Sequence, residues 1–388
     1  MKKVKEVSKW ILLSLVSGLI AGVLGALFFH VLTFVTRVRS ENGWLLFLLA
    51  LGGVLTVKLY NTLSVSHLGT DSALEYVKSG KQVSPLLVPA VFSGTVLTHL
   101  FGGSAGREGA ALQMGAGVSA FLSNRFKLKD EESRILTIGS MSAFFSALFG
   151  TPLAAAVFGL EAVFSKKRTV KAFLPTGLSS FTAFFIGKAL LVEGEKFALT
   201  LPTISFNLIC KTLTLIVFAS AICILFVYSL HKTKALFKRY FKNAYVRIVV
   251  GAVLIILLTL IEGSRDYNGG GMEIVKRIFE FSDVKKEAFI LKLIFTAITV
   301  GSGFKGGEIV PTFFIGATFG GAFALMLGVS APFGAALGMA VLFSGATNCP
   351  VAATLICCEM FGFKGIIYFV IASFISYFLS GKKRLYSV

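Results

Sequence analysis

The sequence predicts an all-α polytopic membrane protein, an inverted repeat of two halves built with broken and re-entrant helices. Three observations carry that expectation: an apolar composition, basic residues clustered in the connections, and motifs that recur at a near-constant interval. Hydrophobic residues make up 55% of the 388, glycine contributes 40, phenylalanine 39, and the mean hydropathy is +0.82. Such a composition excludes an ordinary soluble domain. The chain has 38 Lys and Arg against 19 Asp and Glu, a formal charge of +19. A nucleic-acid partner would account for that charge, but its distribution argues otherwise. The basic residues cluster between apolar runs: Lys2, Lys3, Lys5 and Lys9; Arg125, Lys127 and Lys129; Lys166, Lys167 and Arg168; Lys232 to Arg247; and Lys382 to Arg384. This is the positive-inside pattern, and it predicts a multi-pass protein of the cell membrane with the N-terminus and these loops in the cytoplasm. Lipid is the expected surrounding and no nucleic acid is expected to bind.

A basic start, Met1–Lys9, leads into apolar runs at Trp10–Val35 and Trp44–Leu63. His67–Gly80 is polar with helical spacing, and Pro85–Leu100 enters a glycine-rich centre, Gly102–Gly117. A charged loop, Asn124–Arg134, precedes Ile135–Phe149 and Thr151–Phe164, which a Gly150–Thr151–Pro152 break separates. Ala172–Leu191 and Phe206–Leu230 are long enough to span, and His231–Arg247 is a basic connector. The second part continues through Ile248–Ile261, a polar segment Glu262–Lys286, Ala288–Val300, Gly301–Pro311, Thr312–Leu327, Pro332–Phe343, Cys349–Phe361 and Ile366–Leu379. Several of these runs are too short, or too interrupted by Gly and Pro, for simple spans of about 20 residues. Non-helical backbone at that depth is tolerated where it lines a cavity. The five cysteines, Cys210, Cys223, Cys349, Cys357 and Cys358, all sit in apolar context without a CxxC pair. They read as small buried hydrophobes. No cleavable signal peptide is evident.

Paired broken segments in corresponding positions of two halves point to a transport site. LEYVK at Leu74–Lys78 is echoed by MEIVK at Met272–Lys276, and Gly106–Arg107–Glu108 by Gly306–Gly307–Glu308. Pro152 and Glu161 are echoed by Pro350 and Glu359. The order is the same and the interval nearly constant. The reading divides the chain into a first membrane repeat with its basic start (1–230), a connector (231–247) and a second repeat (248–388). No cytoplasmic regulatory domain is expected to follow. An inverted arrangement would bring helix N-termini from both repeats together at mid-membrane.

The chemistry concentrates in Gly102–Gly117, GGSAGREGAALQMGAG. Arg107 and Glu108 are an ionisable pair in an apolar surround, and such pairs mark functional sites. Glycines let backbone N–H groups approach an ion closely, and a helix starting just after Gly106 would favour an anion at its N-terminus. Small-residue helix packing is the competing use for the same glycines. Arg107, adjacent in sequence to Glu108, is expected to point elsewhere. An ionised Glu108 would compete with an anion for the same N–H groups; a protonated one would swing away or carry a proton. Glu308 holds the equivalent position in the second repeat, as a second stop for the proton or as a helix-start carboxylate favoured by the dipole. Glu161 and Glu359 lie mid-helix, and their symmetry predicts a shared structural role such as capping a neighbouring helix.

These residues resemble a known family. GREG at Gly106–Gly109 followed by QMGAG is similar to the signature of the CLC chloride channels and anion/proton antiporters. GSGFKGGEIVPTFFIGATFGG, TPLAAAVFGLEAVF, NCPVAATLICCEMF and the ending GKKRLYS extend the resemblance from about Gly69 to Tyr386. The resemblance implies a homodimer with a separate anion pathway in each subunit. Residue by residue, it makes Glu108 the gate and proton carrier. The backbone N–H groups of Arg107, Glu108 and Gly109 would line an outer anion site, and those of Glu308 and Ile309 a central one faced by the Tyr386 hydroxyl. The inner-gate serine of chloride members falls at Thr70, beside Asp71. GGE-x-x-P with FFIGAT, the LYS ending, and Ala162 in place of an internal proton glutamate look like the fluoride/proton antiporter subgroup. Val310 departs from that subgroup, which has a threonine there, and Ala110 departs from GREGP.

The expected function is therefore a membrane anion transporter: a fluoride/proton antiporter exporting fluoride or, alternatively, a CLC-type chloride channel or chloride/proton exchanger gated by the same glutamate. Fluoride is small and strongly hydrated, so a site for it must replace water with firm donors. An enzyme is not expected. His30, His67, His99 and His231 form no HExxH motif, and neither a metal nor a cofactor is anticipated.

Overall fold

The computed structural model describes residues 2–79, 83–163, 166–381 and 384–385, with residues 2–4, 71, 79 and 166–169 described in backbone only. The chain order begins α1 (Lys2–Glu41), a short 3₁₀ turn (Gly43–Leu48), α2 (Leu49–Thr62), α3 (Thr70–Ser79), α4 (Leu87–Leu100), α5 (Glu108–Arg125), α6 (Asp130–Phe149), α7 (Pro152–Ala162) and α8 (Lys166–Ala189). It continues with α9 (Phe206–Tyr240), α10 (Ala244–Glu262), α11 (Met272–Phe281), α12 (Ala288–Ser302), α13 (Ile309–Met326), α14 (Ala331–Thr347), α15 (Pro350–Phe361) and α16 (Ile366–Leu379). Among the described residues, six helices are long and apolar enough to cross a membrane, including Lys5–Glu41, Phe206–Tyr240 and Ile309–Met326. Others, such as Leu87–Leu100, Pro152–Ala162 and Pro350–Phe361, are apolar but too short to span alone. The protein is a multi-pass membrane protein with broken helices, as its composition predicts.

The basic connector is largely helical. α9 runs unbroken to Tyr240, so His231–Tyr240 of the basic connector is helix rather than loop. No Gly or Pro interrupts it, and Lys238 and Arg239 in the last turn complement the helix dipole. Cys210, expected to be buried, is exposed on this helix; Cys223, Cys349, Cys357 and Cys358 are buried.

The repeat is visible in backbone dihedrals. α6 ends on Gly150 in the left-handed region at φ 69°, and α14 ends on Asn348 at φ 57°. The next residues, Thr151 (φ −123°, ψ 75°) and Cys349 (φ −122°, ψ 73°), are nearly superimposable N-caps, each followed by proline in the first turn. Proline there loses nothing, because its missing N–H would have no intrahelical acceptor. The same chain reversal is thus written twice with different residues.

α7 and α15 complete each other. Glu359 of α15 accepts hydrogen bonds from the N–H groups of Leu153 (3.1 Å) and Ala154 (2.8 Å) at the start of α7. Glu161 of α7 accepts from Val351 (3.2 Å) and Ala352 (2.9 Å) at the start of α15. Each carboxylate meets the positive end of its partner helix, the capping role that the symmetry predicts.

Elsewhere the packing uses small residues and aromatic rings. α13 and α14 cross so closely that a Cβ on Gly338 would collide with the Gly316 carbonyl. Phe313 of α13 stacks on Phe343 of α14 with centroids 5.3 Å apart, and Phe158 of α7 packs on Phe343 at 5.6 Å. Ser17 and Ser140 join α1 to α6 at 2.7 Å, a polar contact suited to a lipid-embedded helix pair.

Glu359→Ala leaves two helix-start donors of α7 without their carboxylate, at a cost of about 1–3 kcal/mol. The expected outcome is a thermal midpoint several degrees lower when the detergent-solubilised protein is heated and its monodisperse fraction followed by size-exclusion chromatography. Glu161→Ala is expected to give a matching loss, and an unchanged midpoint in both would contradict the capping assignment.

Candidate functional site

α5 and α13 start at the same place. Gly106 and Gly307, just ahead of the two helices, exchange both backbone hydrogen bonds in an isolated antiparallel bridge. The Gly106 N–H donates to the Gly307 carbonyl at 2.6 Å, and the Gly307 N–H to the Gly106 carbonyl at 2.8 Å. Only glycine allows this approach: a Cβ on Gly307 would run into the Gly109 amide nitrogen, and one on Gly106 would lie 2.9 Å from Val310 Cβ. Gly306 is held at φ 155° beside it. The helix N-termini, whose first-turn N–H groups lack intrahelical acceptors, therefore face a shared buried space. Their dipoles make that space favourable for an anion.

Glu108 fills it. Its side chain is fully buried, and Oε2 accepts from the Arg107 N–H at 3.0 Å and from the Val310 N–H at 3.3 Å. One carboxylate oxygen thus bridges donors from both helix starts, in the manner of a bound anion. Oε1 has no hydrogen-bond partner among the described residues but lies 3.6 Å from Arg107 Nε. Arg107 consequently does not point away from Glu108, as adjacency suggested. As the N-cap of α5 (φ −114°, ψ −11°) it sits outside the helix, so its side chain can fold back over the first turn. The guanidinium then reaches the Leu148 carbonyl (3.4 Å), the Glu195 carboxylate (3.9 Å) and the Phe29 ring (4.9 Å to its centroid).

On the other side of Gly109 lie Thr70 and Glu308. A Cβ built at Gly109 would be 3.2 Å from Thr70 Oγ1 and 3.3 Å from Glu308 Oε2, so both side chains touch the same glycine edge. Glu308 is the N-cap residue of α13 (φ −96°, ψ −13°) but makes no side-chain cap to its own helix. Ile309 begins α13 and is fully buried. The structure therefore gathers Thr70, Arg107, Glu108, Gly109, Glu308 and Ile309 around one pair of helix tips. Tyr386 lies outside the described residues, as does the side chain of Asp71.

Sequence reasoning missed three participants. The Val310 N–H is invisible to any reading of side chains. Glu195 belongs to an extended segment far along the chain, and only the fold brings it to Arg107. Gln113, whose Nε2 donates to Thr70 Oγ1, was legible only as part of QMGAG. Small-residue packing also operates in this stretch: a Cβ on Gly115 would meet Met141 Cα of α6 at 2.6 Å. The glycines divide, Gly106 and Gly109 serving the site and Gly115 the helix contact.

Inverted broken helices that aim their N-termini at a buried carboxylate define a membrane ion transporter of the inverted-repeat class. The family model described as voltage gated chloride channel matches residues 52–381, and the chain belongs to this CLC family. A "Chloride/fluoride channel protein" of Pseudomonas syringae pv. tomato is 32% identical over 98% of this chain and 86% of its own length. An "H(+)/Cl(-) exchange transporter" of Yersinia pestis is 27% identical over 78% of this chain and 67% of its own. The crystal structure of a CLC-type fluoride/proton antiporter superposes with a TM-score of 0.94 at 33% identity, covering 98% of this chain and 97% of the other.

Gly307→Ala introduces a backbone collision at the bridge and is expected to abolish both anion transport and monodisperse behaviour in detergent. Gly177→Ala in α8, where nothing lies within 4 Å of an added methyl, is the matched control and is expected to behave as the parent. Equal behaviour of the two variants would show the bridge to be dispensable.

Proposed function

We propose that the protein is a fluoride/proton antiporter that exports fluoride, with Glu108 as gate and proton carrier. One observation carries the reading: Glu108 Oε2 is held by backbone N–H groups from both α5 and α13, at the position where an anion would be held. An ionised Glu108 closes the site to anions. Proton uptake removes the charge, lets the carboxyl leave, and frees the same donors for fluoride. Loss of the proton returns the carboxylate and expels the anion. Each cycle thereby links anion and proton movement in opposite directions. Glu308, at the second helix start and against Gly109, serves as a further station for the proton. Arg107, Gly109, Thr70 and Ile309 complete the anion path through backbone N–H groups and the Thr70 hydroxyl, and Asp71 and Tyr386 belong to it by resemblance.

The names of the relatives support this anion class, as does the match to a fluoride/proton antiporter structure. Two features favour the alternative, a chloride pathway gated by the same glutamate. Val310 stands where the fluoride subgroup has a threonine, and Thr70 supplies a hydroxyl where chloride members have serine. In either case we assign two membrane repeats, 1–230 and 248–388, joined by 231–247, and a homodimer in the cell membrane with a cytoplasmic N-terminus. The Lys9–Glu132 ion pair, at 2.6 Å, supports one side for the basic start and the charged first turn of α6.

The test is anion efflux from proteoliposomes, comparing fluoride with chloride while external pH is recorded, for the parent and Glu108→Gln. The expected result is fluoride-selective efflux with opposed proton movement, the proton movement being lost in Glu108→Gln. Chloride movement at least as fast, without proton flux, would replace the antiporter by a chloride pathway.

A further inference from the structure

Gln113 is buried on α5, one helical turn beyond Gly109, and so shares its face. Its Nε2 donates to the Gly109 carbonyl at 3.2 Å and to Thr70 Oγ1 at 2.9 Å. A carbonyl can only accept, so the bond to Gly109 fixes which end of the amide is the N–H₂. The bond to Thr70 then has a fixed direction too: Gln113 donates and Thr70 accepts. A hydroxyl has one proton to give. With a lone pair taken by Gln113, Thr70 keeps that proton for another acceptor, on the glycine edge it shares with Glu308. Gln113 Oε1 is itself buried without a hydrogen-bond partner among the described residues.

We infer that Gln113 is a positioning residue that commits the Thr70 hydroxyl to donate to the transported anion, and thereby sets anion preference. This rests on the anion path proposed above but assigns a residue and a direction that the path alone does not. The physical reason is competition. Without the amide, the Gly109 carbonyl loses its side-chain donor and becomes an acceptor for Thr70, which turns the hydroxyl proton away from the ion. A bond from a hydroxyl to an ion is stronger than one between neutral groups, and the smallest anion, with the densest charge, gains most from an oriented donor. Gln113 therefore favours fluoride over chloride without touching either.

The test is a double-mutant cycle on Gln113→Met and Thr70→Val in proteoliposomes, reading the half-saturating anion concentration and the fluoride-to-chloride ratio. Gln113→Met is expected to raise half-saturating fluoride about tenfold, the size of one good hydrogen bond, with a smaller effect on maximal rate. Thr70→Val is expected to give a similar shift, and the double variant to be no worse than Thr70→Val alone. Thr70→Ser keeps a hydroxyl, so Gln113→Met is expected to cost its full factor in that background. Gln113→Asn retains an amide but withdraws it by one methylene, and is expected to share the shift even if Gln113→Met fails to fold. Additive losses in the double variant, or parent-like half-saturation and ratio in both Gln113 variants, would overturn the inference. A parent that carries chloride without protons overturns the antiporter reading instead, and the cycle is then read on chloride.

Discussion

Everything in this protein depends on two glycines, Gly106 and Gly307, exchanging backbone hydrogen bonds at the tips of α5 and α13. Each helix start carries roughly half a positive charge, so two facing starts repel unless a negative charge lies between them. Glu108 supplies that charge from within the chain, tied by backbone N–H groups to both helix starts. Burying a carboxylate is costly, and these donors together with Arg107 offset the cost. The resting site is therefore one that needs an anion and contains its own. In the proposed cycle, transport follows from exchanging that internal charge for an external one.

The frame around the site is built to hold still. The α6–α7 and α14–α15 reversals repeat the same dihedrals, and the reciprocal caps of Glu161 and Glu359 join the two halves at a second place, α7 against α15. The glycine crossing of α13 on α14, with Phe313 stacked on Phe343, packs α13 closely against its neighbour. A closely packed frame suits the proposed cycle, in which the Glu108 side chain, rather than whole helices, changes place.

Two lysines lie near the centre. Lys292 is fully buried, its ammonium donating to the Tyr267 and Gly269 carbonyls and lying over the Phe314 ring at 5.1 Å. Lys305, two residues before the Gly307 bridge, lies over the Tyr60 ring at 4.1 Å. Neither lysine is paired with a carboxylate among the ion pairs of the described residues. Arg107 differs. It stands between Glu108 and Glu195, and so connects the central carboxylate to a segment crossing the protein beyond α8.

How much of this was legible in the chain depends on the kind of interaction. Composition fixed the membrane class, because apolar runs and basic connections follow directly from partitioning into lipid. The echo of Gly106–Glu108 in Gly306–Glu308, and of Glu161 in Glu359, revealed the repeat and its caps, because a repeated local structure demands residues at a repeated interval. Glu108, Glu308, Thr70 and Gly109 stood out as site residues through their chemistry and family resemblance. Other features had no sequence signal. The position of Val310 N–H, the pairing of Arg107 with Glu195, and the grip of Gln113 on Thr70 are contacts between segments far apart in the chain. They use backbone groups or common side chains whose partners only the fold selects. The sequence alone determined two helix starts, in corresponding places of a repeat, each with a carboxylate beside it. Tertiary structure decided that the carboxylate would bridge both starts, because hydrogen-bond geometry across a glycine bridge is a property of two segments meeting and not of either one.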